Sequence, residues 1–336
     1  MNRYPETPPA ETLADAAQYF PPADGVYQVK PGLMRLGHDL GKGPADTQVF
    51  QFDQSFPHFR QAKLQARAER LAKYYQTADY APEVANALAC FLVQRLAQEH
   101  PAFFQLEETS TGSRLHCALT SETLRFNSEY RLVGVQAAGL SPTPPYTDAL
   151  DALASQVHED LAIVCRRPDD SDWLAAAHLC CPNHWAAEEK IGRDFAQVHA
   201  PVAGMAPLNQ RRADLVRAMI ERGPYVRFSW GLGTDTRLNH HPEPPPGIPA
   251  ANWYGRHFDP AQPRLFVRVE RQVLWSFPAQ QAALFTIRTS FRDCARLTPE
   301  ERTQLRLAIL SMTPETLVYK GLAAHRDAIL EWLAKI

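Results

Sequence analysis

The order of strand-like and helix-like segments in residues 161–291 constrains the fold more than any other feature. Five segments have the composition of β-strands, and two segments with helical periodicity separate the second strand from the third. The strand segments are residues 161–165, 173–179, 225–231, 264–275 and 283–291. The helical segments are residues 186–199 and 208–222. An antiparallel sheet with helices over one face satisfies this order.

Strand, strand, helices and three strands is the order of a PAS domain, in which a ligand pocket lies between the sheet and the helices. We therefore predict an α+β fold with a PAS-like, five-stranded antiparallel sheet. Four parts are expected along the chain. They are an irregular N-terminal arm (residues 1–54), a helical and hairpin extension (55–150), the PAS-like core (151–295) and C-terminal helices packed on the core (296–336).

Helices and a hairpin are also predicted outside the PAS-like core. Apolar residues recur at helical spacing through residues 59–98, where Pro82 suits the first turn of a second helix. Residues 115–119 and 123–126 predict a hairpin, and the C-terminal part predicts helices over residues 299–311 and 314–335.

Charge and cysteine content exclude several classes of function. The formal net charge is −2 and there is no basic run, so we expect no nucleic-acid binding. No secretory signal and no apolar run of ~18 residues is present, which predicts a cytoplasmic protein without a membrane segment. The six cysteines include no C-x-x-C pair. This spacing argues against a zinc ribbon or a ferredoxin-type cluster and favours buried, reduced thiols.

Several blocks of sequence resemble the haem-dependent oxidative N-demethylase alpha-subunit-like family, also described as DUF3445-type. One of them is Val198-His199-Ala200-Pro201-Val202. The others are residues 159–161, 181–192, 227–230, 265–272 and 285–289. The similarity runs from about residue 50 to the end of the chain and is densest within residues 151–291.

The resemblance implies a haem-dependent oxidoreductase of the monooxygenase type. Haem b would supply the iron, O2 the oxygen, and a small secondary amine such as dimethylamine the methyl group that leaves as formaldehyde. Electrons from NADPH would arrive through partner reductase subunits carrying FMN and a 2Fe-2S cluster, because this chain lacks a Gly-x-Gly-x-x-Gly motif and a cluster-binding cysteine array. A homo-oligomer is left open.

With the resemblance in view, His199 is the candidate axial ligand of the haem iron. Ile191, Phe195 and Val198 fall on one helical stripe, and His199 lies beside that stripe where Pro201 ends the helix. Neutral imidazole is a good iron donor. A C-cap histidine favoured by the helix dipole is the alternative interpretation.

Other histidines are weaker candidates. His184 lies in the same block, but its position near a helix start favours a capping or surface role. The pair His240 and His241 lies in a proline-rich loop, where we expect both side chains at the surface.

Period-two alternation places Phe266, Arg268, Glu270 and Gln272 on one face of their strand. A buried carboxylate needs either arginine neighbours or a cationic ligand. From the resemblance, we predict that Glu270 holds the ammonium group of the substrate. Arg227 would then polarise bound oxygen or pair with Glu270.

Two more positions in the matched blocks, Arg288 and Trp230, are assigned to cofactor binding, since aromatic walls suit a haem macrocycle. The alternatives are that Trp230 belongs to the core and that Arg227, Glu270 and Arg288 form a cross-strand ladder of ion pairs.

Two other functions compete with catalysis. A haem-based PAS sensor of gas or redox state would keep His199 and need no amine site, although the chain has no long heptad helix to transmit a signal. A haem-free binding protein of the same fold is the third hypothesis.

Overall fold

The computed structural model describes residues 13–138 and 142–336. Its N-terminal region contains β1 (Met34–Arg35), α1 (Phe56–Tyr74), β2 (Tyr75–Thr77) and α2 (Pro82–Glu99). The α2 helix begins at Pro82, as predicted, because the fixed φ of proline suits the first helical position and its missing N–H leaves no bond unmade there. Residues 1–12 of the predicted arm lie outside the described residues.

The predicted hairpin is part of a larger sheet. The four strands of this sheet are β3 (Phe104–Thr109), β4 (Gly112–Cys117), β5 (Glu122–Asn127) and β6 (Leu132–Ala137). They follow one another in sheet order as an antiparallel meander, with Leu115 opposite Leu124 as the hairpin requires. The flanking strands β3 and β6 were not predicted.

The five predicted strands of the core all form. They are β7 (Asp160–Arg166), β8 (Asp172–His178), β9 (Tyr225–Gly233), β10 (Phe266–Phe277) and β11 (Ala282–Asp293). They belong to an antiparallel sheet with the order β1-β9-β10-β11-β7-β8-β2. The sheet thus has seven strands, because the short β1 and β2 pair with its two edges.

The helices are shorter than predicted. The chain forms α3 (Ala149–Ala154), α4 (Ala187–Lys190), α5 (Phe195–His199), α6 (Ala206–Gln210), α7 (Arg212–Glu221) and α8 (Ala250–Trp253). The prediction of one helix over residues 186–199 is wrong, since Gly192 has a φ of 75° between α4 and α5. The prediction over residues 208–222 is also wrong, because Arg211 is non-helical between α6 and α7.

The C-terminal helices are α9 (Pro299–Leu310), α10 (Pro314–Tyr319) and α11 (Arg326–Lys335). The prediction of a single helix over residues 314–335 is wrong. Gly321 has a φ of 69°, a left-handed conformation that ends α10. None of the helices in the described part of the chain combines the length and the apolar character needed to cross a membrane.

The two faces of the seven-stranded sheet bury different partners. Val273 and Leu284 pack in one cluster with residues of α2, whereas Leu274 and Phe285 pack with residues of α7. We call these sides the α2 face and the α7 face. Because neighbouring residues of a strand point to opposite sides, the register assigns the other side chains of β9, β10 and β11 to one face or the other.

Candidate functional site

His199 is the last residue of α5, opposite the α7 face of the sheet. The helix begins with a capping box, in which the Asp194 side chain accepts from the Gln197 backbone N–H at 2.7 Å. The His199 Nδ1 atom lies 2.8 Å from the backbone oxygen of Phe195, and the two rings lie 4.2 Å apart. These contacts hold the imidazole in one orientation.

The hydrogen bond to Phe195 also selects a tautomer of His199. A carbonyl oxygen only accepts, so Nδ1 carries the proton and donates. No other described residue hydrogen-bonds the ring, which leaves the Nε2 lone pair without a protein partner. Burial lowers the pKa of His199, the Phe195 carbonyl opposes this shift, and the nearby charge of Arg227 adds to it. The neutral ring with a free Nε2 is the form that binds iron.

The stripe predicted beside His199 packs on the sheet around Phe285. Ile191 and Val198 share one cluster with Phe285, and Phe195 shares another. Phe285 lies on β11, the middle strand of seven, yet it is only partly buried, as are Phe195 and Val198. A tightly packed layer would bury such residues fully. Phe195, Val198 and Phe285 therefore keep part of their surface accessible where α5 packs on the sheet, and two of the three are aromatic.

Glu270 and Arg227 share the α7 face with Phe285. The register sets Glu270 opposite Ser229 and Gln272 opposite Arg227. Gln272 Nε2 donates to Glu270 Oε2 at 3.0 Å, and Arg268 Nε lies 3.8 Å from Glu270 Oε1. Glu270 therefore has the arginine neighbour that a buried carboxylate needs, so its burial does not itself require a cationic ligand.

Arg227 is partly buried and has few protein partners. Its one hydrogen bond runs from NH2 to the Lys30 backbone oxygen at 3.4 Å, and its Nε atom is buried without a partner. Burial lowers the pKa of Arg227, while Glu270 and Tyr27 oppose the shift. Arg227 is thus close enough to both His199 and Glu270 to affect them electrostatically.

Arg288 and Trp230 lie on the α2 side of the sheet. Arg288 follows Ile287 and precedes Thr289, both of which face the other way, and it pairs with the buried carboxylate of Asp53. The three-residue ladder of Arg227, Glu270 and Arg288 therefore does not form.

Trp230 pairs with Val269 and packs in the cluster of the C-terminal helices, as the alternative interpretation expected. The strand alternation directs both Arg288 and Trp230 away from His199, so their placement gives no support to the cofactor contacts predicted for them.

The prediction that His240 and His241 lie at the surface is wrong. His240 is 3% exposed and His241 is 2% exposed. His240 Nε2 lies 2.9 Å from Asp235 Oδ1, and its Nδ1 lies 3.2 Å from Arg268 NH1. A proline-rich loop can fold back on the sheet when its polar side chains find such partners.

His184 stacks on His240 at 5.3 Å and is partly buried. It packs against the proline-rich loop that carries His240 and does not cap a helix, because α4 starts three residues later. Its ring therefore belongs to a different part of the molecule from the stripe around Phe285.

A second group of potential metal donors lies near the other edge of the sheet. Side-chain atoms of Asp160, His178 and Cys180 all lie within 4.8 Å of one another. Both Asp160 oxygens accept backbone N–H groups, from Cys180 at 2.9 Å and Cys181 at 2.8 Å. The charge of buried Lys63 acts on all three residues and opposes a bound cation. This group fits a structural role.

Three residues around Arg227 and Glu270 were not assigned a role from the sequence. Arg268 and Gln272 lie two residues before and after Glu270, on the same face of β10. This spacing could have indicated that they contact Glu270. Tyr27, which acts electrostatically on Arg227, comes from a distant segment, and the sequence carried no signal for it. A cavity of about 260 Å³ is lined by Tyr27, Gln28, Val29, Gly204, Ser311, Thr313 and Thr316. A wider open groove of about 540 Å³ runs along α1 from Phe56 to Ala68 and shares no residue with this region.

Comparison with known proteins identifies a family. A family model described as "Haem-dependent oxidative N-demethylase, alpha subunit-like" matches residues 43–330. The matched range includes all of the core strands β7–β11 and His199. No individually curated protein matches the chain.

Proposed function

Because the chain belongs to the haem-dependent oxidative N-demethylase, alpha subunit-like family, we propose that it binds haem b through His199 and oxidises the N-methyl group of a small amine. The family is described as haem-dependent and alpha subunit-like, and an alpha subunit belongs to a larger enzyme. The specific substrate, the use of O2, the iron ligand and the partner reductase are parts of this proposal.

The free Nε2 atom of His199 carries the most weight. An imidazole whose Nδ1–H is held by a backbone carbonyl presents its other nitrogen as a fixed lone pair, which is the arrangement metal-binding histidines use. The partly exposed aromatic residues Phe195 and Phe285 offer apolar walls for a macrocycle. These residues therefore fit a haem group.

The core sheet supports a PAS-like description of the fold. Without the short edge strands, its order is β9-β10-β11-β7-β8, and α4 to α7 connect β8 to β9 across one face. This is the arrangement that places a ligand pocket between sheet and helices.

Bound haem would supply an iron centre that activates O2. In net terms, one oxygen atom oxidises the methyl carbon, which leaves as formaldehyde. The other atom forms water with two electrons and two protons. Glu270 Oε1 accepts no hydrogen bond from a described residue, so it can accept an N–H of the substrate ammonium and direct the methyl group. Arg227, whose guanidinium makes one hydrogen bond to the described residues, can donate to the oxygen side.

The two electrons must come from outside the chain in this proposal. Five of its six cysteines are buried, and for Cys117, Cys165, Cys180, Cys181 and Cys294 burial raises the pKa. Among the described residues, the one group of three or more potential metal donors contains a single cysteine, Cys180, whereas an iron–sulfur cluster is usually held by four. A flavin and iron–sulfur reductase, reduced by NADPH, fits the alpha-subunit character of the family.

Absorption spectroscopy of the purified protein tests the proposal. We expect a Soret band that His199→Ala removes and that His184→Ala, the matched control, retains. A band that survives His199→Ala would assign the ligand to another residue. Amine-dependent O2 consumption with a supplied reductase then separates an enzyme from a sensor, which would bind O2 without consuming amine.

A further inference from the structure

We propose that His240, anchored by Asp235, is a positioning residue for the amine site. It holds Arg268 away from Glu270 and so keeps one oxygen of that carboxylate open to a substrate. This inference rests on the proposed function and deepens it, because Glu270 is the residue to which we assign the ammonium group. The function proposed above makes no use of His240.

The distance between Arg268 and Glu270 is the observation that carries the inference. Both side chains are buried, yet Arg268 Nε lies 3.8 Å from Glu270 Oε1. A guanidinium that hydrogen-bonds a carboxylate approaches it to about 2.7–2.9 Å. Among the described residues, the buried Nε atom has no hydrogen-bond partner and Oε1 accepts no hydrogen bond. Other contacts therefore hold two buried opposite charges apart.

Those contacts engage the two terminal nitrogens of Arg268. The acceptors are Cys181 O (2.6 Å) and Thr289 Oγ1 (3.4 Å) for NH2, and Leu238 O (3.0 Å), His240 Nδ1 (3.2 Å) and Arg237 O (3.4 Å) for NH1. A shift of the guanidinium toward Glu270 would lengthen these bonds. The position of Arg268 is thus a balance between the carboxylate and the acceptors around NH1 and NH2.

His240 is the acceptor that is itself fixed by a charge. Its Nε2 lies 2.9 Å from Asp235 Oδ1. A carboxylate only accepts and a guanidinium only donates, so Nε2 carries the ring proton and Nδ1 presents its lone pair to Arg268. The buried ring also stacks on His184 at 5.3 Å. Asp235 thus selects the tautomer with which His240 holds Arg268.

The backbone around His240 fixes the ring in place. The His240 N–H donates to the Pro182 oxygen at 3.0 Å, and the His184 N–H donates to the His240 oxygen at 3.0 Å. Gly255 lies against the ring with a φ of 66°, and a Cβ atom at this position would lie 2.7 Å from His240 Nε2. The imidazole therefore has little freedom to follow Arg268 toward Glu270.

Loss of the His240 acceptor would let Arg268 close on Glu270. NH1 would have one bond fewer to keep, whereas Nε and Oε1 would each gain the partner that they lack. A closed ion pair would neutralise the carboxylate and occupy the oxygen that the substrate ammonium needs. His240 and Asp235 therefore favour amine binding without touching the amine.

Two substitutions of His240 separate its two hydrogen bonds. Asparagine places its amide near the position of Nδ1, so His240→Asn keeps an acceptor for Arg268 and loses the bond to Asp235. Glutamine places its amide near the position of Nε2, so His240→Gln keeps the contact with Asp235 and loses the acceptor for Arg268. Both variants remain polar and are smaller than or similar in size to histidine.

Amine titrations compare these variants. Dimethylamine is the probe, added to the haem-loaded protein and followed by perturbation of the Soret band. We expect His240→Asn to bind it within about threefold of the parent, and His240→Gln to bind it at least tenfold more weakly. His241→Gln, at the adjacent buried histidine that contacts Glu243, is the control and should change the affinity by less than threefold. Equal affinities of the asparagine and glutamine variants overturn the inference.

A double-mutant cycle between His240→Gln and Glu270→Gln distinguishes positioning from general damage. Chemical denaturation measures the cycle without haem or amine. No hydrogen bond or ion pair among the described residues joins His240 directly to Glu270, so a coupling between them runs through Arg268. We expect Glu270→Gln to lower the folding equilibrium constant at least threefold more in the His240→Gln protein than in the parent, because only there does Arg268 bond the carboxylate. Equal reductions overturn the inference.

The failure of the proposed function gives a different result. A purified protein without any Soret band removes the proposed function, whereas the unfolding cycle still decides whether His240 controls the contact between Arg268 and Glu270. If His240→Gln does not fold, Asp235→Ala replaces it in both measurements, since it removes the anchor of the ring at a partly exposed position. This variant should shift both results in the same direction, and unchanged values in both overturn the inference.

Discussion

Gln272 donates a hydrogen bond of 3.0 Å to Glu270, two residues away on the same face of β10. This contact occupies Glu270 Oε2, whereas Oε1 accepts no hydrogen bond from the residues that the structure describes and lies 3.8 Å from Arg268 Nε. The carboxylate is thus oriented by the strand that carries it. One oxygen remains available to a ligand.

Replacing Glu270 by glutamine should spare haem binding and weaken amine binding. The variant keeps the shape of the side chain but loses the negative charge that attracts an ammonium group, a contact worth roughly 1.5–3 kcal/mol. We expect about a tenfold or greater loss of amine affinity in spectral titrations, at an unchanged Soret maximum. Glu331→Gln, in an exposed pair with Lys335, is the control. Unaltered amine affinity in the Glu270 variant would remove this residue from the site.

The cap of α5 should matter for haem affinity, because it supports the short helix that presents His199. Asp194→Ala removes the capping box and costs about 1 kcal/mol of local stability. We expect haem to dissociate severalfold faster at an unchanged Soret maximum. Thr298→Ala removes the equivalent capping box of α9 and should leave haem dissociation unchanged. Equal effects of the two variants would show only general destabilisation.

The buried pair of Asp53 and Arg288 should act on stability rather than on ligand binding. Burial alone would raise the pKa of Asp53, but the His158 hydrogen bond and the Arg288 charge lower it well below its usual range. Asp53→Asn leaves Arg288 buried without its anion, which costs on the order of 3–5 kcal/mol. Chemical denaturation measures the loss, and Asp327→Asn, at an exposed position, is the control. A loss below about 1 kcal/mol would contradict the importance of this pair.

Lys320 should make the free energy of unfolding depend on alkaline pH. Burial lowers its pKa from 10.5 to about 8, with Glu270 opposing the shift and Arg256 adding to it. The cost of burying the ammonium is therefore complete below pH 8 and disappears as pH rises toward 10.5. At neutral pH this cost is on the order of 3 kcal/mol.

Comparison of unfolding in the parent protein and Lys320→Met isolates that cost. The stability of the variant relative to the parent should be most favourable near pH 7 and should fall by pH 10. A difference independent of pH would show that Lys320 titrates normally.

Much of the architecture could be predicted from local patterns. Strands β7 to β11 were recognisable because their apolar and β-branched residues lie between turn signals, and α2 begins at Pro82 for a local steric reason. The end of α5 at His199 is also consistent with Pro201 two residues later, because proline has no N–H to continue the helical hydrogen bonds. Ala200 itself keeps helical angles (φ −51°, ψ −37°), so the expected restriction on the residue before proline does not end the helix. The breaks at Gly192 and Gly321 carried a local signal too, since glycine favours the left-handed backbone found there.

The faces of the sheet could not be predicted. Alternation shows that Glu270 and Arg271 point to opposite sides, but both sides of β10 carry charges, so the pattern does not say which side meets α5. Because the sequence did not show which face each side chain takes, Arg288 and Trp230 were predicted to bind the cofactor together with His199, although they point to the α2 face.

The sequence by itself determined where most strands lie, where the histidine-bearing helix ends and which family blocks the chain carries, because these depend on neighbouring residues. Only the tertiary structure decided which side chains share a face and which distant residues meet, such as Tyr27 and Lys320. The physical reason is that buried charges choose their partners through packing across the whole chain, and no local pattern records a contact between residues hundreds of positions apart.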